Sequence, residues 1–363
     1  VFGRRQAATH ICLAARALGT VEHLGAIAEQ AARADLEVCW LDLGDQEDIA
    51  GFIGAFTTSE APIQQVRDRA ALHRHLRRAR PAAVWIQTPY PEHYPDWFWA
   101  ETTGVLGYAG YGLTLSTWAA GLYGLGTYQD CSVVLTESEG DRDNYVAHGV
   151  SPDRVMLSGN PLLFELRRQL ADAAEPAFDL LWAPHWTEDW FGQRGYSRWR
   201  ETAPALLAWA AENPSARILL RPHPLLPAGI AALPDSDAAA NAFRQLVALP
   251  NTEVSEGPLL GDILRSAALL TDGVSIIAYW SATGRPLGIT RDAESPPFNA
   301  TGEAFCARAD VLADPAAVGA WLGALDRPSG DAAGAERRAF SETVHPTFDE
   351  SPVAMWAARR AAR

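Results

Sequence analysis

At 363 residues the chain is long enough for two domains of ordinary size, each with its own core. Hydrophobic residues make up 48% and charged residues 20%, which sets it apart from disordered and collagenous sequences. The formal net charge of -14 argues against nucleic-acid binding by counterion release, whereas the local field of a cleft can still attract an anion. Cys12, Cys39, Cys131 and Cys306 lie far apart with no Cys-x-x-Cys pair, so they read as buried free thiols of a reducing, cytoplasmic compartment. No apolar run approaches the ~20 residues needed to cross a bilayer, and no signal-peptide pattern is visible. The sequence starts at Val1 rather than a methionine, so an upstream piece is expected.

In chain order, His10 to Ala15 reads as a strand, followed by a turn at Leu18 to Thr20 and a helix from about Glu22 to Ala34. Leu36 to Leu43 is a second buried strand. The basic amphipathic stretch Val66 to Arg80 predicts a surface helix. Ala82 to Gln87, Val105 to Ala109, Ser132 to Glu137 and Val155 to Ser158 continue the strands. Strands separated by helices at this spacing imply a parallel sheet covered on both faces.

Gly159-Asn160-Pro161 ends this series, Leu162 to Ala174 predicts a connecting helix, and Ala173 to Pro176 a linker. A second series follows. It has strands at Asp179 to Trp182, Ala216 to Leu220, Thr252 to Ser255, Leu269 to Thr271 and Pro286 to Ile289. Helices are expected over Thr202 to Asn213 and Leu259 to Ala267. Ser329 to Ala335 reads as a loop or helix connection, and Pro352 to Arg363 as a last helix whose basic end suits the helix dipole. The expected organisation is a Rossmann-like domain over 1–160, a linker helix over 161–176, a second Rossmann-like domain over 177–345 and a C-terminal helix over 346–363. Two such units with strand ends turned to a shared cleft would make the α/β architecture called GT-B, although a fold does not fix chemistry.

Two polar signatures close strands of the second half: Arg221-Pro222-His223-Pro224 and Thr271-Asp272-Gly273-Val274-Ser275. Ligands of open α/β sheets bind at the carboxyl ends of strands. The prolines of the first signature fix the backbone and remove N–H donors, leaving the polar work to side chains. Arg221 suits bidentate contact with phosphate; a salt bridge is its bland alternative. In the second signature, glycine lets a ligand approach the backbone, and a helix starting near Val274 to Ile276 would offer free N–H groups. Thr271, Asp272, Gly273 and Ser275 are therefore donor-phosphate candidates, with simple N-capping as the alternative. His185 follows the Leu180 to Ala183 run beside Trp186; protonated, it would offset diphosphate charge, and packing against the indole is the alternative.

These motifs, in order, carry a resemblance. Leu181 to Trp186, Arg221 to Pro224 and Leu269 to Ile277, with Gly159-Asn160-Pro161 at the domain junction, resemble the CDP-glycerol glycerophosphotransferase family of teichoic-acid and capsule polymerases. The likeness spans about residues 80 to 295. It implies a GT-B fold, His223 and the His185 loop facing the donor phosphates, and a CDP-linked donor such as CDP-glycerol or CDP-ribitol. The sequence departs from the family at one point: Tyr111, in Tyr108-Ala109-Gly110-Tyr111-Gly112, stands where the family has its base histidine. With a pKa near ~10 a tyrosine is a poor base at neutral pH. His23 is the expected replacement, because GT-B transferases often place a base at the start of the first helix, where the dipole lowers an imidazole pKa. Glu256, Gly257 and Pro258 lie where such enzymes hold the base or ribose. Trp97, Trp99 and Trp118 are expected to line an acceptor pocket.

The expected activity is metal-independent transfer of a polyol phosphate or sugar from a nucleotide donor to a hydroxyl acceptor, catalysed by His23, Tyr111 and His223. The alternatives are a UDP-sugar or other nucleotide-sugar glycosyltransferase or epimerase on the same fold, or an inactive nucleotide-binding partner protein. Asp235-Ser236-Asp237 has the Asp-x-Asp form of metal-dependent transferases but reads better as helix capping. No cluster has zinc spacing, so no metal is expected. No Walker run and no dinucleotide fingerprint appears, so no cofactor is expected.

Overall fold

The computed structural model describes residues 9–16, 18–44, 51, 53, 61–110, 112–190, 192–325 and 331–362. The chain divides into two compact units. The first comprises Val1–Gly112, Ala120–Glu165 and His345–Arg363; the second comprises Leu113–Ala119 and Leu166–Val344. The final helix, Pro352–Ala361, thus belongs to the first unit, and the helix Pro161–Leu170 straddles the division.

Seven described strands form the sheet of the first unit: β1 (His10–Ala15), β2 (Glu37–Asp42), β3 (Ile63–Gln65), β4 (Ala83–Ile86), β5 (Leu106–Tyr108), β6 (Val133–Thr136) and β7 (Val155–Leu157). Their order is β3-β2-β1-β4-β5-β6-β7, all parallel. β1 is apolar along its length because helices cover both of its faces, and Ile11 to Ala15 are wholly buried. On one face the helix Leu18–Arg33 and the C-terminal helix pack over Leu13, Trp40 and Trp85, where Trp85 meets Trp356 edge to face at 5.3 Å. The other face holds Cys12, Cys39, Leu72, Phe98 and a cluster of Tyr108, Tyr123, Tyr128 and Tyr145.

The Gly159-Asn160-Pro161 junction has a local cause. Gly159 takes a left-handed φ of 80° beside Phe348, which a side chain would resist. Asn160 Oδ1 accepts the Leu163 N–H at 3.0 Å and so caps the helix that Pro161 begins.

The second unit has β8 (Leu180–Ala183), the short antiparallel pair β9 (Asp189–Trp190) and β10 (Gln193–Arg194), β11 (Ile218–Leu220), β12 (Thr252–Val254), β13 (Leu269–Thr271), β14 (Leu287–Thr290) and β15 (Asp310–Leu312). The main sheet is parallel in the order β12-β11-β8-β13-β14-β15. Each unit therefore winds outward from its first strand, then reverses to the other side. The reversal falls between β1 and β4 in the first unit and between β8 and β13 in the second, the doubly wound order that leaves a crevice at the strand ends. The core of the second unit lies around Trp182, Trp199, Leu206, Leu220, Phe243 and Leu270.

Each expected strand and helix has a counterpart within a few residues, but the helices Asp96–Thr102, Glu139–Ala147, Ala300–Cys306 and Pro315–Leu322 lie where none is expected, and Asp331–Val344 is a helix where Ser329 to Ala335 reads as a loop or helix connection. The first helix starts at Leu18 rather than near Glu22. β3 and β15 are edge strands whose exposed residues carry no apolar run, and the β9–β10 pair is only two residues deep. Asp237 caps the helix Ala238–Val247 through the Ala240 N–H, the role expected for the Asp-x-Asp stretch.

Candidate functional site

In the second unit the ends of β8, β11 and β13 meet at the point of strand reversal. The loop after β8 is held there by the carboxylate of Asp272. Its two oxygens accept the backbone N–H groups of His185 and Arg198, each at 2.5 Å. Ser197 adds a hydroxyl bond to the His185 carbonyl at 2.6 Å. The loop folds back on itself as the β9–β10 hairpin, and Gly195 is required at the crossing. A Cβ there would sit 1.9 Å from the Thr187 carbonyl oxygen. From the neighbouring strand, the His223 N–H bonds the Pro184 carbonyl at 3.0 Å, so the β11 turn is tied to the β8 turn.

This scaffold brings two imidazoles together, with ring centroids of His185 and His223 5.2 Å apart. Trp186 lies 5.9 Å from His223, and Tyr196 meets the His185 ring edge-on at 6.0 Å. Each imidazole has its Nδ1 occupied as an acceptor. The Thr187 N–H and hydroxyl approach His185 Nδ1 at 3.3 and 2.7 Å, and the Leu225 N–H approaches His223 Nδ1 at 3.2 Å. A neutral ring so held carries its proton on Nε2. Burial pushes His185 down to about 3, helped by the neighbouring His223, and burial alone pushes His223 down to about 4. Both rings are therefore neutral hydrogen-bond donors at physiological pH, and the expected imidazolium at His185 is corrected.

The helix Ser275–Ser281 begins three residues after Asp272, with no side-chain cap on its first turn. Its leading N–H groups point out of the helix by construction. The Ser275 hydroxyl bonds the Leu113 carbonyl at 3.3 Å.

Other members of the predicted phosphate set have internal duties. Thr271 is wholly buried, donates to the Ala183 carbonyl at 2.7 Å and accepts the Gly273 N–H at 2.9 Å. The Gly273 N–H is thus spent within the turn. Asp272 faces inward and holds the loop. Burial raises it to about 7 against the pull of its two amides, and a carboxylate cannot donate to phosphate. Arg221 donates to the Gly257 carbonyl at 2.7 Å and to the buried Asp262 carboxylate at 2.8 Å, where Ser255 and Arg265 also bond. That arginine is an internal strut, the salt bridge that was its bland alternative. Gly257 is tied to the same network, Pro258 precedes the helix Leu259–Arg265, and Glu256 is exposed beside them.

In the first unit, His23 sits in the second turn of its helix rather than at the start. The dipole acts mainly within the first turn, so burial is what lowers this imidazole to about 4. Trp99 is half-buried, packs edge-on against Tyr94 and Phe98, and donates its indole N–H to the Pro91 carbonyl at 3.3 Å; Trp97 packs against the same core. Both are packing residues of the first unit rather than an open acceptor wall. Tyr111 and the Trp118 side chain lie outside the described residues.

Sequence reasoning missed Tyr196, Ser197 and Arg198, which build the loop behind His185. Arg198 is buried and reaches Asp292 at 2.9 Å and Ser295 at 2.6 Å. The signal was present in the Arg- and aromatic-rich run after β9, which held no strand or helix pattern. It also missed Glu137, at the end of β6. Burial, then the nearby Asp141 carboxylate, pushes Glu137 well above the usual carboxylate range, while Asn160 donates to it at 3.2 Å.

No protein-family model matches the chain, and no curated protein matches it in sequence. Solved structures match over almost its whole length. UDP-GlcNAc 2-epimerase from Neisseria meningitidis, bound to UDP-GlcNAc, gives a TM-score of 0.61 at 10% identity, covering 98% of this chain and 100% of that one. The chain has the GT-B-like fold of these epimerases. The Methanocaldococcus jannaschii UDP-GlcNAc 2-epimerase in complex with UDP-GlcNAc and UDP gives 0.58 at 12% identity, covering 98% and 99%. A glycosyltransferase from Rickettsia africae gives 0.51 at 8% identity, covering 98% of each chain. Likeness at such identity is one of fold. The CDP-glycerol glycerophosphotransferase resemblance is overturned, since the matching structures are UDP-GlcNAc 2-epimerases and no model of that family matches. Its motifs mark strand ends. Proline after β8 and β11 and the Thr-Asp pair after β13 serve backbone closure here. No helix among the described residues is long and apolar enough to cross a membrane.

Proposed function

We propose that this protein is an enzyme that processes a nucleotide sugar, holding the pyrophosphate of a UDP-sugar at the ends of β8, β11 and β13. The observation that carries the reading is the pair of imidazoles 5.2 Å apart, both fixed at Nδ1, with an uncapped helix turn three residues after Asp272. Breaking the bond between an anomeric carbon and its nucleoside diphosphate places negative charge on the leaving phosphate. Fixed N–H donors in a partly desolvated site stabilise that charge without reorganising at the moment of reaction. His185 Nε2–H, His223 Nε2–H and the Ser275 and Ile276 amides are the donors for this role. Asp272 acts through them as a positioning residue. Trp186 would cover one side of the ligand by stacking.

Epimerisation of the sugar is the reading favoured by the solved structures of the same fold, two of which are complexes with UDP-GlcNAc. Glycosyl transfer uses the same leaving group and is the second reading, since a glycosyltransferase also shares the fold. Incubation with UDP-GlcNAc, followed by proton NMR, separates them. An epimerase yields a new sugar signal without an acceptor. A transferase releases UDP only when an acceptor is supplied. Calorimetry showing that UDP-GlcNAc does not bind, or binds equally well to His223→Ala, would sink the reading.

A further inference from the structure

A second constellation lies near the start of β1, inside the first unit. Cys12 and Cys39 are direct neighbours in the register of β1 and β2, and both point to the face covered by the helix Arg69–Ala79. That helix is strongly basic and amphipathic. Its buried inner positions are Leu72 and, unexpectedly for a core site, His75. His75 Nε2 lies 3.6 Å from the Cys12 sulfur and 3.8 Å from the Cys39 sulfur. His10, two residues before Cys12 and so on the same face of β1, brings a fourth group. Ligand atoms of His10, Cys12 and His75 all fall within 4.8 Å of one another; the Cys39 sulfur is outside that group and reaches it through its 3.8 Å contact with His75.

We propose that His10, Cys12, Cys39 and His75 form a structural zinc site. Three observations support it. Zinc bound tetrahedrally at about 2.3 Å from sulfur and about 2.0–2.1 Å from nitrogen sets its sulfur and nitrogen ligands about 3.6 Å apart, close to the 3.6 and 3.8 Å of the two His75 contacts. His75 is 7% exposed, and thiols are its only hydrogen-bonding neighbours among the described residues. Thiols are weak partners for an imidazole taken out of water, so the ring has no adequate compensation without an ion. Finally, His10 Nδ1 faces the Glu37 carboxylate at 3.5 Å while its buried Nε2 has no partner. That is the carboxylate–histidine relay which orients a metal-bound imidazole. A donor set of two sulfurs and two imidazole nitrogens suits zinc among the common divalent ions. The spacing is invisible in the sequence because the ligands come from two strands and a helix, at positions 10, 12, 39 and 75. With Cys39 drawn in as the fourth ligand, the ion would clamp the helix Arg69–Ala79 to β1 and β2, leaving no open coordination site for chemistry.

The deciding experiment is metal analysis of the full wild-type chain, purified from zinc-supplemented medium and dialysed without a strong chelator. About one zinc per chain is expected, displaceable by Co(II) with the near-ultraviolet thiolate charge-transfer and strong visible bands of a tetrahedral site. Cys39→Ser and His75→Gln should lose the ion, whereas Cys131→Ser should keep it. A variant that fails to fold would also lack zinc, so wild-type stoichiometry and the cobalt spectrum decide. A folded wild type without zinc after exposure to excess metal overturns the site, whether Cys12 and Cys39 are then found free or disulfide-linked.

Discussion

A histidine that binds phosphate usually does so as a cation, and the structure predicts otherwise here. Burial pushes the His223 imidazole down to about 4, and its Nδ1 accepts the Leu225 N–H. Protonation would set two donors against each other at Nδ1. His223 should therefore bind UDP-GlcNAc as a neutral Nε2–H donor, and affinity should change less than about twofold between pH 5.5 and 8.5 on its account. The contrary case has a calculable size. Suppose the pyrophosphate restored the imidazole to an ordinary pKa of ~6.5. At pH 5.5 the ring would then be about 90% protonated in the complex and about 3% protonated in the free protein. Binding would be roughly tenfold tighter than at pH 8.5, with a proton taken up. The sign is fixed: a pKa raised by the ligand makes affinity fall as pH rises. The assay is calorimetry with UDP-GlcNAc, whose pyrophosphate diester keeps a constant charge over this range, in buffers of different ionisation enthalpy. Asp272, near 7, is the other neighbouring group able to titrate there, but any share it has would survive replacement of His223. His223→Gln keeps a neutral donor near Nε2 and should retain affinity within a few-fold, while His223→Ala should lose about tenfold, the worth of one hydrogen bond to a charged group. A tenfold fall in wild-type affinity that His223→Gln abolishes would refute the reasoning.

Three further outcomes follow from the same geometry. Asp272→Asn turns one acceptor into a donor aimed at a backbone N–H of His185 or Arg198. It should cost about 1–3 kcal/mol of stability by thermal unfolding and weaken nucleotide binding at least tenfold, because the His185 loop loses its anchor. Arg221→Ala leaves the buried Asp262 carboxylate with a weaker set of partners and should destabilise by about 3 kcal/mol in denaturant melts. Its nucleotide affinity should stay within a few-fold of wild type, and a loss as large as that of His223→Ala would return the arginine to the ligand. Glu137→Gln should gain stability relative to wild type as pH rises above about 4.5, the ordinary value for a glutamate. The folded-state pKa of Glu137 is raised, so the wild type loses stability through that window and the amide does not. Melting temperatures that run parallel from pH 4 to 8 would contradict the assignment.

Much of the fold was legible because its strands are buried on both faces. A run such as Ile11-Cys12-Leu13-Ala14-Ala15 admits little else, and the glycine, asparagine and proline of 159–161 mark the end of one winding and the start of a helix. The edge strand β3 escaped because Ile63-Gln64-Gln65 has neither run nor alternation, and its pairing with β2 is decided by the neighbour. The helix Leu18–Arg33 was placed late because its first turn, Leu-Gly-Thr-Val, looks like a turn in isolation. That shift of one turn removes the dipole argument for His23.

The candidate site shows where sequence reading stops. Residue types at strand ends can be read, since topology alone sends them to one edge of the sheet; the rings of His185 and His223 lie 5.2 Å apart there, and Ser275 begins the helix after β13. Which way each polar group turns cannot be read. Arg221 and His223 are two residues apart on one turn. The guanidinium goes inward because Asp262, 41 positions later, offers a buried charge that must be met. With that demand satisfied by arginine, the imidazole is left to the strand-end surface, where the Leu225 N–H fixes its tautomer. The same inward pull takes Asp272 out of any ligand-facing role and makes it the support of His185. Polar residues in a signature thus divide between holding the scaffold and meeting a ligand, and the division follows from which buried partners need satisfying.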